Sequence, residues 1–309
     1  MATRPTHRLL GAMIVVLAAC ASVDPAGPAD PVAPASSDAA SVPPASTPAA
    51  DAAPASTTEV TEVGSASSTT AVPLTGVAPP DWLGTRPLPL RPGETIAIAA
   101  PTPEELQDRQ FWTTDHLPPP PDDTFVGTVV APAPDDVIEQ STWTDECPVD
   151  RSELAWVTVS FFGFDHRFHT GELLVHADHA EAVAGAFERL HELRFPIEEM
   201  RVTTLAELTA PRTGDGNNTS SFVCRPAVNS STWSRHAFGT AVDVNPFHNP
   251  YVRDDIVIPE LASAYLDRDR FARGMVHADV VAAFEEIGWG WGGAWSSSSD
   301  WMHFSDTGT

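Results

Sequence analysis

Residues 234–246 read Ser-Arg-His-Ala-Phe-Gly-Thr-Ala-Val-Asp-Val-Asn-Pro, a run that joins a turn signal to a strand signal. Val242 and Val244 alternate with Asp243, and in a strand this spacing places both valines on one face and the carboxylate on the other. We therefore expect Asp243 to face a site while the valines face the core. Because His236 precedes Gly239, we expect it in the turn that enters the strand.

A second group of polar residues lies near the C-terminus, in the run Asp-Trp-Met-His-Phe at 300–304. Together, His236, Asp243 and His303 provide two imidazoles and a carboxylate, a usual ligand set for catalytic zinc, which leaves one position to water. His-x6-Asp alone is weak evidence, because such residues beside a strand are more often turn residues or satisfied polar groups. His248, close to Asp243 in sequence, is the alternative ligand.

These two stretches, together with Trp-Gly-Trp-Gly-Gly-Ala-Trp at 289–295, resemble the zinc D-alanyl-D-alanine carboxypeptidase family, whose relatives include L-alanyl-D-glutamate peptidases. In that family, Ser-x-His-x6-Asp and a late Asp-x-x-His carry the metal and the general base. The resemblance implies that His236, Asp243 and His303 bind zinc and that Asp300 is the base. It also implies a hedgehog/DD-peptidase-like fold. The alternative for Asp300 is a turn residue after the preceding serine run.

Three further residues are candidates for contact with a substrate. A guanidinium at Arg225 could stabilise a developing oxyanion or bind a substrate carboxylate. Ser234 could orient His236 or a substrate group, and Trp291 could line a substrate groove. The alternatives are a surface arginine, a turn serine and a tryptophan that packs in the core.

The N-terminus has the features of an export signal. Arg4 and Arg8 precede the apolar stretch Leu9 to Ala19, which is too short to span a bilayer. Leu-Ala-Ala-Cys at 17–20 resembles a bacterial lipoprotein cleavage site, after which Cys20 would be lipidated. The alternative is an ordinary signal peptide cut nearby. We expect residues 1–20 to export the protein to the cell envelope, with the lipid as its only membrane anchor.

Composition divides the rest of the chain into three segments. Residues 21–80 are rich in Ala, Pro, Ser and Thr and contain no aromatic residue, Lys or Arg. Such a segment buries too little apolar surface to fold, so we expect a disordered tether. Residues 81–150 have scattered aromatic residues and a proline run, which predicts an irregular N-terminal arm. Residues 151–309 have a globular composition, and the family resemblance implies that they form the zinc peptidase domain.

Regular secondary structure is predicted from Leu154 onward. Alternating apolar residues predict a strand there, and a second strand is expected at Glu172 to His176, after a turn near Gly171. Apolar residues at helical spacing predict a helix from Asp178 to about Arg194, with Asp178 in a capping box. A later helix is expected with Asp279 as its cap. These elements predict an α+β fold with a small, mainly antiparallel sheet flanked by helices.

Charge and residue usage exclude several function classes. The chain has 17 basic and 42 acidic residues, a net charge of −25, which argues against nucleic acid or an anionic membrane surface as partner. All basic side chains are Arg, because the sequence contains no Lys. This excludes a P-loop lysine, a Schiff-base lysine and the Ser-x-x-Lys nucleophile of penicillin-binding peptidases.

The number of cysteines indicates how they are used. If Cys20 is lipidated, Cys147 and Cys224 remain, and we expect them to form a disulfide in an oxidising envelope compartment. Such a bond would tie the N-terminal arm to the loop that precedes the predicted Asp243 strand. The alternative is that Cys224 is a nucleophile paired with a histidine.

With the export signal, the family resemblance implies an exported, monomeric zinc peptidase that acts on the stem peptides of peptidoglycan. We expect a D-alanyl-D-alanine carboxypeptidase. The same metal ligands would serve an L-Ala-D-Glu or cross-link endopeptidase, and the sequence does not separate the two. A catalytically silent wall-binding module is a further alternative, although Asp300 argues against it.

Overall fold

The structure, a computed structural model, describes residues 76–309. The predicted export signal and nearly all of the predicted tether lie outside the described residues. Within residues 76–309, no helix is both long enough and apolar enough to cross a membrane.

The described part of the chain combines short strands with short helices. The strands are β1 (Gly127–Val130), β2 (Leu154–Gly163), β3 (Phe168–His176), β4 (Pro196–Ile197), β5 (Glu199–Met200), β6 (Asn218–Thr219), β7 (Ala241–Asp243), β8 (Tyr251–Arg253), β9 (Ile256–Ile258), β10 (Gly290–Trp291), β11 (Ser299–Asp300) and β12 (His303–Ser305). The α-helices are α1 (Asp135–Gln140), α2 (Ala180–Glu192), α3 (Leu205–Thr209) and α4 (Ala278–Glu285).

The largest sheet is built around the antiparallel hairpin of β2 and β3, with β1 on the outer side of β2 and β4 pairing with β2 in parallel. The predicted strand at Leu154 is confirmed. The second strand begins at Phe168, so the predicted turn near Gly171 is wrong. Gly171 instead allows the Met200 side chain to pack closely against β3, because a Cβ at position 171 would lie 2.6 Å from that side chain.

Helix α2 packs on one face of this sheet and confirms the predicted helical spacing. Its buried positions include Val183, Phe187 and Leu190, which join the core of β2 and β3. The predicted capping box at Asp178 is wrong, because Asp178 lies in a 3-10 turn and His179 is the N-cap, without a side-chain bond. Asp279 likewise lies in the first turn of α4, where its charge favours the helix dipole, and does not cap the helix.

Two smaller antiparallel sheets carry the second half of the chain. One has the order β10-β12-β7, and the other has the order β11-β8-β9. Phe304 of β12 stacks on Phe284 of α4 with ring centroids 4.1 Å apart, which joins the first of these sheets to the main core. The predicted α+β class is confirmed.

The segment before Leu154 is mostly irregular, and it contributes to the core of the rest of the chain. Leu106 and Phe111 are buried with Phe247 and Tyr265, while β1 and α1 pack beside the hairpin. The predicted disulfide is confirmed, since Cys147 is bonded to Cys224 with the Cα atoms 5.8 Å apart. The arm is thus held both by apolar burial and by a covalent bond.

A buried ion pair also holds the arm. The Arg109 guanidinium donates to both oxygens of Glu198, at 2.8 and 2.6 Å, and to the Asp215 carbonyl at 2.7 Å. Asn217 donates to the same carboxylate at 2.9 Å. Both charged groups are nearly inaccessible to water, so each depends on the other for compensation.

We expect Glu198→Gln to destabilise the protein by about 3–5 kcal/mol, because the Arg109 charge would stay buried without its partner. Urea unfolding would measure the loss, with the exposed Glu188→Gln as the matched control. A loss no larger than that of the control would contradict the structural role given to this pair.

A second buried charge cluster links the arm to β3. In its protonated form His169 donates from Nδ1 to Asp115 Oδ1 at 2.7 Å and from Nε2 to Asp165 Oδ1 at 2.9 Å. Burial by itself would lower the pKa of His169, but the two carboxylates outweigh burial and raise this pKa above its ordinary value. The protonated imidazole therefore favours the folded state.

Because the folded-state pKa of His169 is raised, its contribution to stability is fully present below the unfolded pKa of about 6.5 and is lost as pH rises through the folded value. We expect the difference in unfolding free energy between the wild type and His169→Gln to be largest near pH 5.5 and to shrink toward pH 8.5. His166→Asn, at an exposed turn position, is the control. A difference that is constant or grows with pH would refute this assignment.

Candidate metal centre and substrate cavity

Antiparallel pairing of β7 with β12 places Asp243 directly opposite His303. Val242 and Val244 are fully buried, whereas the Asp243 side chain is partly accessible from a cavity. The predicted alternation around Asp243 is therefore present. Cross-strand neighbours lie close enough for their side chains to meet, so the sheet register itself brings these two groups together.

His236 reaches the same point from a 3-10 turn at Arg235–Phe238. Gly239 ends this turn at φ 70°, and a Cβ there would lie 2.6 Å from the His176 nitrogen, so the position requires glycine. Ser234 caps the turn by accepting a bond from the His236 backbone nitrogen at 3.3 Å. The His236 Nδ1–H donates to the Ser221 carbonyl at 2.6 Å, which leaves the Nε2 lone pair facing Asp243.

The three groups form a compact set of possible metal ligands. Asp243 Oδ1 lies 3.2 Å from His236 Nε2 and 3.1 Å from His303 Nδ1, and the two nitrogens are 3.2 Å apart. His303 Nε2 is buried without a hydrogen-bond partner among the described residues. Two imidazoles and a carboxylate oxygen converging within 4.8 Å of one another fit a divalent cation, and this donor set suits zinc.

Electrostatics at this cluster keep the carboxylate ionised. Burial opposes the charge of Asp243, but the adjacent His236 and His303 outweigh burial and hold the pKa of Asp243 far below its ordinary value. An ionised carboxylate is the form that binds a metal.

Asp300 lies on β11 beside this cluster and also lines the cavity. Its Oδ1 is buried and has no hydrogen-bond partner among the described residues. Burial, with the charge of Asp243, raises the pKa of Asp300 to about 7 against the opposing effect of His303 and Arg225. A carboxyl group with this pKa can both accept and return a proton near neutral pH.

Arg225 lines the same cavity, immediately after the disulfide-bonded Cys224. Burial lowers the pKa of Arg225, while the charges of Asp243 and Asp300 oppose that effect. Its guanidinium donates to the Pro226 carbonyl at 3.2 Å, and no carboxylate within residues 76–309 forms an ion pair with it. The guanidinium therefore retains donors for another group.

The cavity has a volume of about 790 Å³, and its aromatic lining was not predicted from the sequence. Trp291 lies outside the lining, packs against the core and donates from Nε1 to the Trp301 carbonyl at 3.0 Å. Trp233 and Trp295 line the cavity instead. Several tryptophans in this part of the chain lie beside glycines, and their spacing has no regular period. The sequence therefore could not show which tryptophan packs in the core and which ones line the cavity.

Two alternatives from the sequence are not supported by the structure. His248 is fully buried, where its ring contacts Asn217 and the Arg109 carbonyl, and it takes no part in the ligand cluster. Burial lowers the pKa of His248 to about 4, so this ring is neutral. Cys224 is bonded to Cys147 and is therefore not a free nucleophile.

Comparison with protein families places the site in a matched segment. Residues 228–306 match a family model described as D-alanyl-D-alanine carboxypeptidase. Searches of curated proteins and of solved structures found no match. The matched segment contains His236, Asp243, Asp300 and His303, whereas Arg225 precedes it. The family resemblance inferred from the sequence is confirmed over these residues. The segment that carries the site is similar to peptidases of the D-alanyl-D-alanine carboxypeptidase family.

Proposed function

We propose that this protein is a zinc-dependent peptidase that hydrolyses the stem peptides of peptidoglycan as a D-alanyl-D-alanine carboxypeptidase. The observation that carries the proposal is the convergence of His236, Asp243 and His303 beside Asp300 in one cavity. This cluster falls within the segment that matches the peptidase family.

The three ligand residues have separable tasks. His236 and His303 would each give the metal one ring nitrogen, and the Ser221 carbonyl fixes the orientation of the first ring. Asp243 would give a carboxylate oxygen and reduce the net charge of the site. Zinc bound here would supply Lewis-acid polarisation of the scissile carbonyl and activation of water.

Asp300 is assigned the proton transfers. Its unpartnered Oδ1 can accept a proton from the attacking water, which leaves Asp300 as a neutral acid. The same oxygen then returns the proton to the amine that leaves. A neutral acid is stable at this position because burial favours the uncharged form.

Arg225 is assigned to the charge that develops on the carbonyl oxygen. Its guanidinium faces the cavity and has no ion-pair partner within residues 76–309. Ser234 contributes through position, because it caps the turn that holds His236. A donor placed before the reaction stabilises the transition state without having to reorganise.

The setting of the reaction is also proposed. Export by residues 1–20, lipidation at Cys20 and a tether at 21–80 would place residues 81–309 near the cell wall as a membrane-anchored monomer. The net charge of −25 argues against nucleic acid as the partner.

We expect zinc to raise the unfolding temperature, because the metal binds the folded ligand set. At a free zinc concentration of one hundred times Kd the gain is about 2.7 kcal/mol. Differential scanning calorimetry with zinc, and then with excess chelator, would measure it. His303→Ala should remove the gain, whereas His277→Ala, outside the cavity, should keep it. An equal gain in both variants would place the metal elsewhere.

We expect Asp300→Asn to lower kcat by about 10²–10⁴-fold while zinc still binds, because the amide cannot accept the proton. The exposed Asp269→Asn is the control. Digestion of purified muropeptides, read by mass spectrometry, should show loss of one alanine with the wild type and the control. Cleavage between the first and second stem residues would indicate an endopeptidase. No cleavage by folded, zinc-loaded wild type would favour a wall-binding module.

A further inference from the structure

One wall of the cavity is a face of the sheet formed by β8, β9 and β11. Tyr251 and Arg253 are two residues apart on β8, so both side chains project from the same face. Both line the cavity, whereas Val252 between them does not. Asp300 of β11 and Ile258 of β9 are the cross-strand partners of Tyr251, and they line the cavity too. This face therefore places the base and Arg253 on one surface.

The cavity lining contains arginines although the chain as a whole is acidic. The charged side chains of the lining are Arg225, Arg235, Arg253, Asp243 and Asp300. Arg235 is neutralised by Asp306, so two arginines and two aspartates remain, and the lining lacks the acidic excess of the whole chain, whose net charge is −25. An arginine of such a lining can bind an anionic group if no carboxylate of the protein already occupies it.

The arginines of the lining differ in what already neutralises them. Arg235 is bound by Asp306, with the shortest contact at 2.6 Å. Arg253 has no ion pair within residues 76–309, and the carboxylate of its neighbour Asp255 is taken by Arg91 at 2.9 and 3.1 Å. Arg253 is therefore exposed on this wall, and its guanidinium N–H groups form no ion pair within residues 76–309.

The position of Arg253 matches the reach of a short peptide. Strand residues two apart are separated by about 7 Å, so Arg253 lies about that far along the wall from the point where Tyr251 faces Asp300. An extended peptide advances about 3.3–3.6 Å per residue. With a scissile bond beside Asp300, the carboxylate of the leaving residue falls within the range of a long arginine side chain. A guanidinium binds such a group through paired hydrogen bonds.

We propose that Arg253 binds the free C-terminal carboxylate of the substrate and so makes the enzyme an exopeptidase. The inference rests on the peptidase function proposed above and adds the residue that selects a chain end over an internal bond. An internal bond has a further amide in place of that carboxylate, which would leave Arg253 unpaired. Arg253 acts here as a specificity residue, separate from the proton transfers at Asp300.

The test uses two stem peptides that end in D-Ala-D-Ala and differ only in a terminal carboxylate or carboxamide. Zinc-loaded Asp300→Asn protein, which retains the peptide, allows calorimetric measurement of both dissociation constants. We expect the carboxylate form to bind about 10–100-fold more tightly, as for a lost charge-assisted hydrogen bond. The wild type should show the same preference in kcat/KM.

Adding Arg253→Met to this protein should bring the ratio of the two dissociation constants close to one, and Arg253→Lys should restore part of the preference. Arg270→Met, an exposed arginine outside the cavity, is the matched control. Thermal unfolding checks that each variant is folded. An unchanged ratio in Arg253→Met, or equal binding of both peptides before the substitution, would overturn the assignment while peptide cleavage persists. Absence of binding and of cleavage for both peptides would overturn the peptidase proposal together with this one.

Discussion

The pairing of β7 with β12 is the interaction on which the candidate site depends. Asp243 and His303 are 60 residues apart in sequence, yet the register places them directly opposite each other. The next pair, Val242 with Phe304, is fully buried, and Phe304 stacks on Phe284. A slip of one residue in the register would turn His303 away from Asp243 and would expose the Phe304 ring. The hydrophobic core thus fixes the spacing of the polar groups.

Contacts on the other side of β7 fix the position of His236, the remaining candidate ligand. Ser220 pairs with Asp243 through backbone bonds of 3.1 and 2.9 Å, and the following Ser221 carbonyl receives the His236 ring proton. The same segment continues through Cys224 to Arg225. A single stretch of backbone beside β7 therefore both orients the His236 ring and places Arg225 at the cavity.

The arm contributes polar contacts as well as apolar burial. Arg109 neutralises Glu198 and its carbonyl accepts from His248, which follows β7 in the chain. Asn217 joins both groups. His248 is close to Asp243 in sequence, as a metal ligand could be, but its ring nitrogens are already hydrogen-bonded within this network. The spacing alone could not reveal this, because the partners of His248 are remote in sequence.

Much of the site, and less of the fold, could be predicted from the sequence. The alternation around Asp243 and the Asp-x-x-His run report local chemistry, and both survive in the structure. The error at Gly171 and the core position of Trp291 have a common cause. Each depends on which distant residue packs against it, Met200 in the first case and the core beside Phe304 in the second. The prediction at Asp178 failed because a 3-10 turn displaced the helix start.

The disulfide also restricts the unfolded state of the oxidised chain. Cys147 and Cys224 are separated by 77 residues, and the loop they close contains β2, β3 and α2. On the chain-entropy account, closing such a loop removes about 4–5 kcal/mol of conformational freedom from the unfolded state. In an unfolded chain that keeps this bond, the arm and the segment that ends in Arg225 thus stay covalent neighbours. The main hairpin then refolds inside a covalent ring.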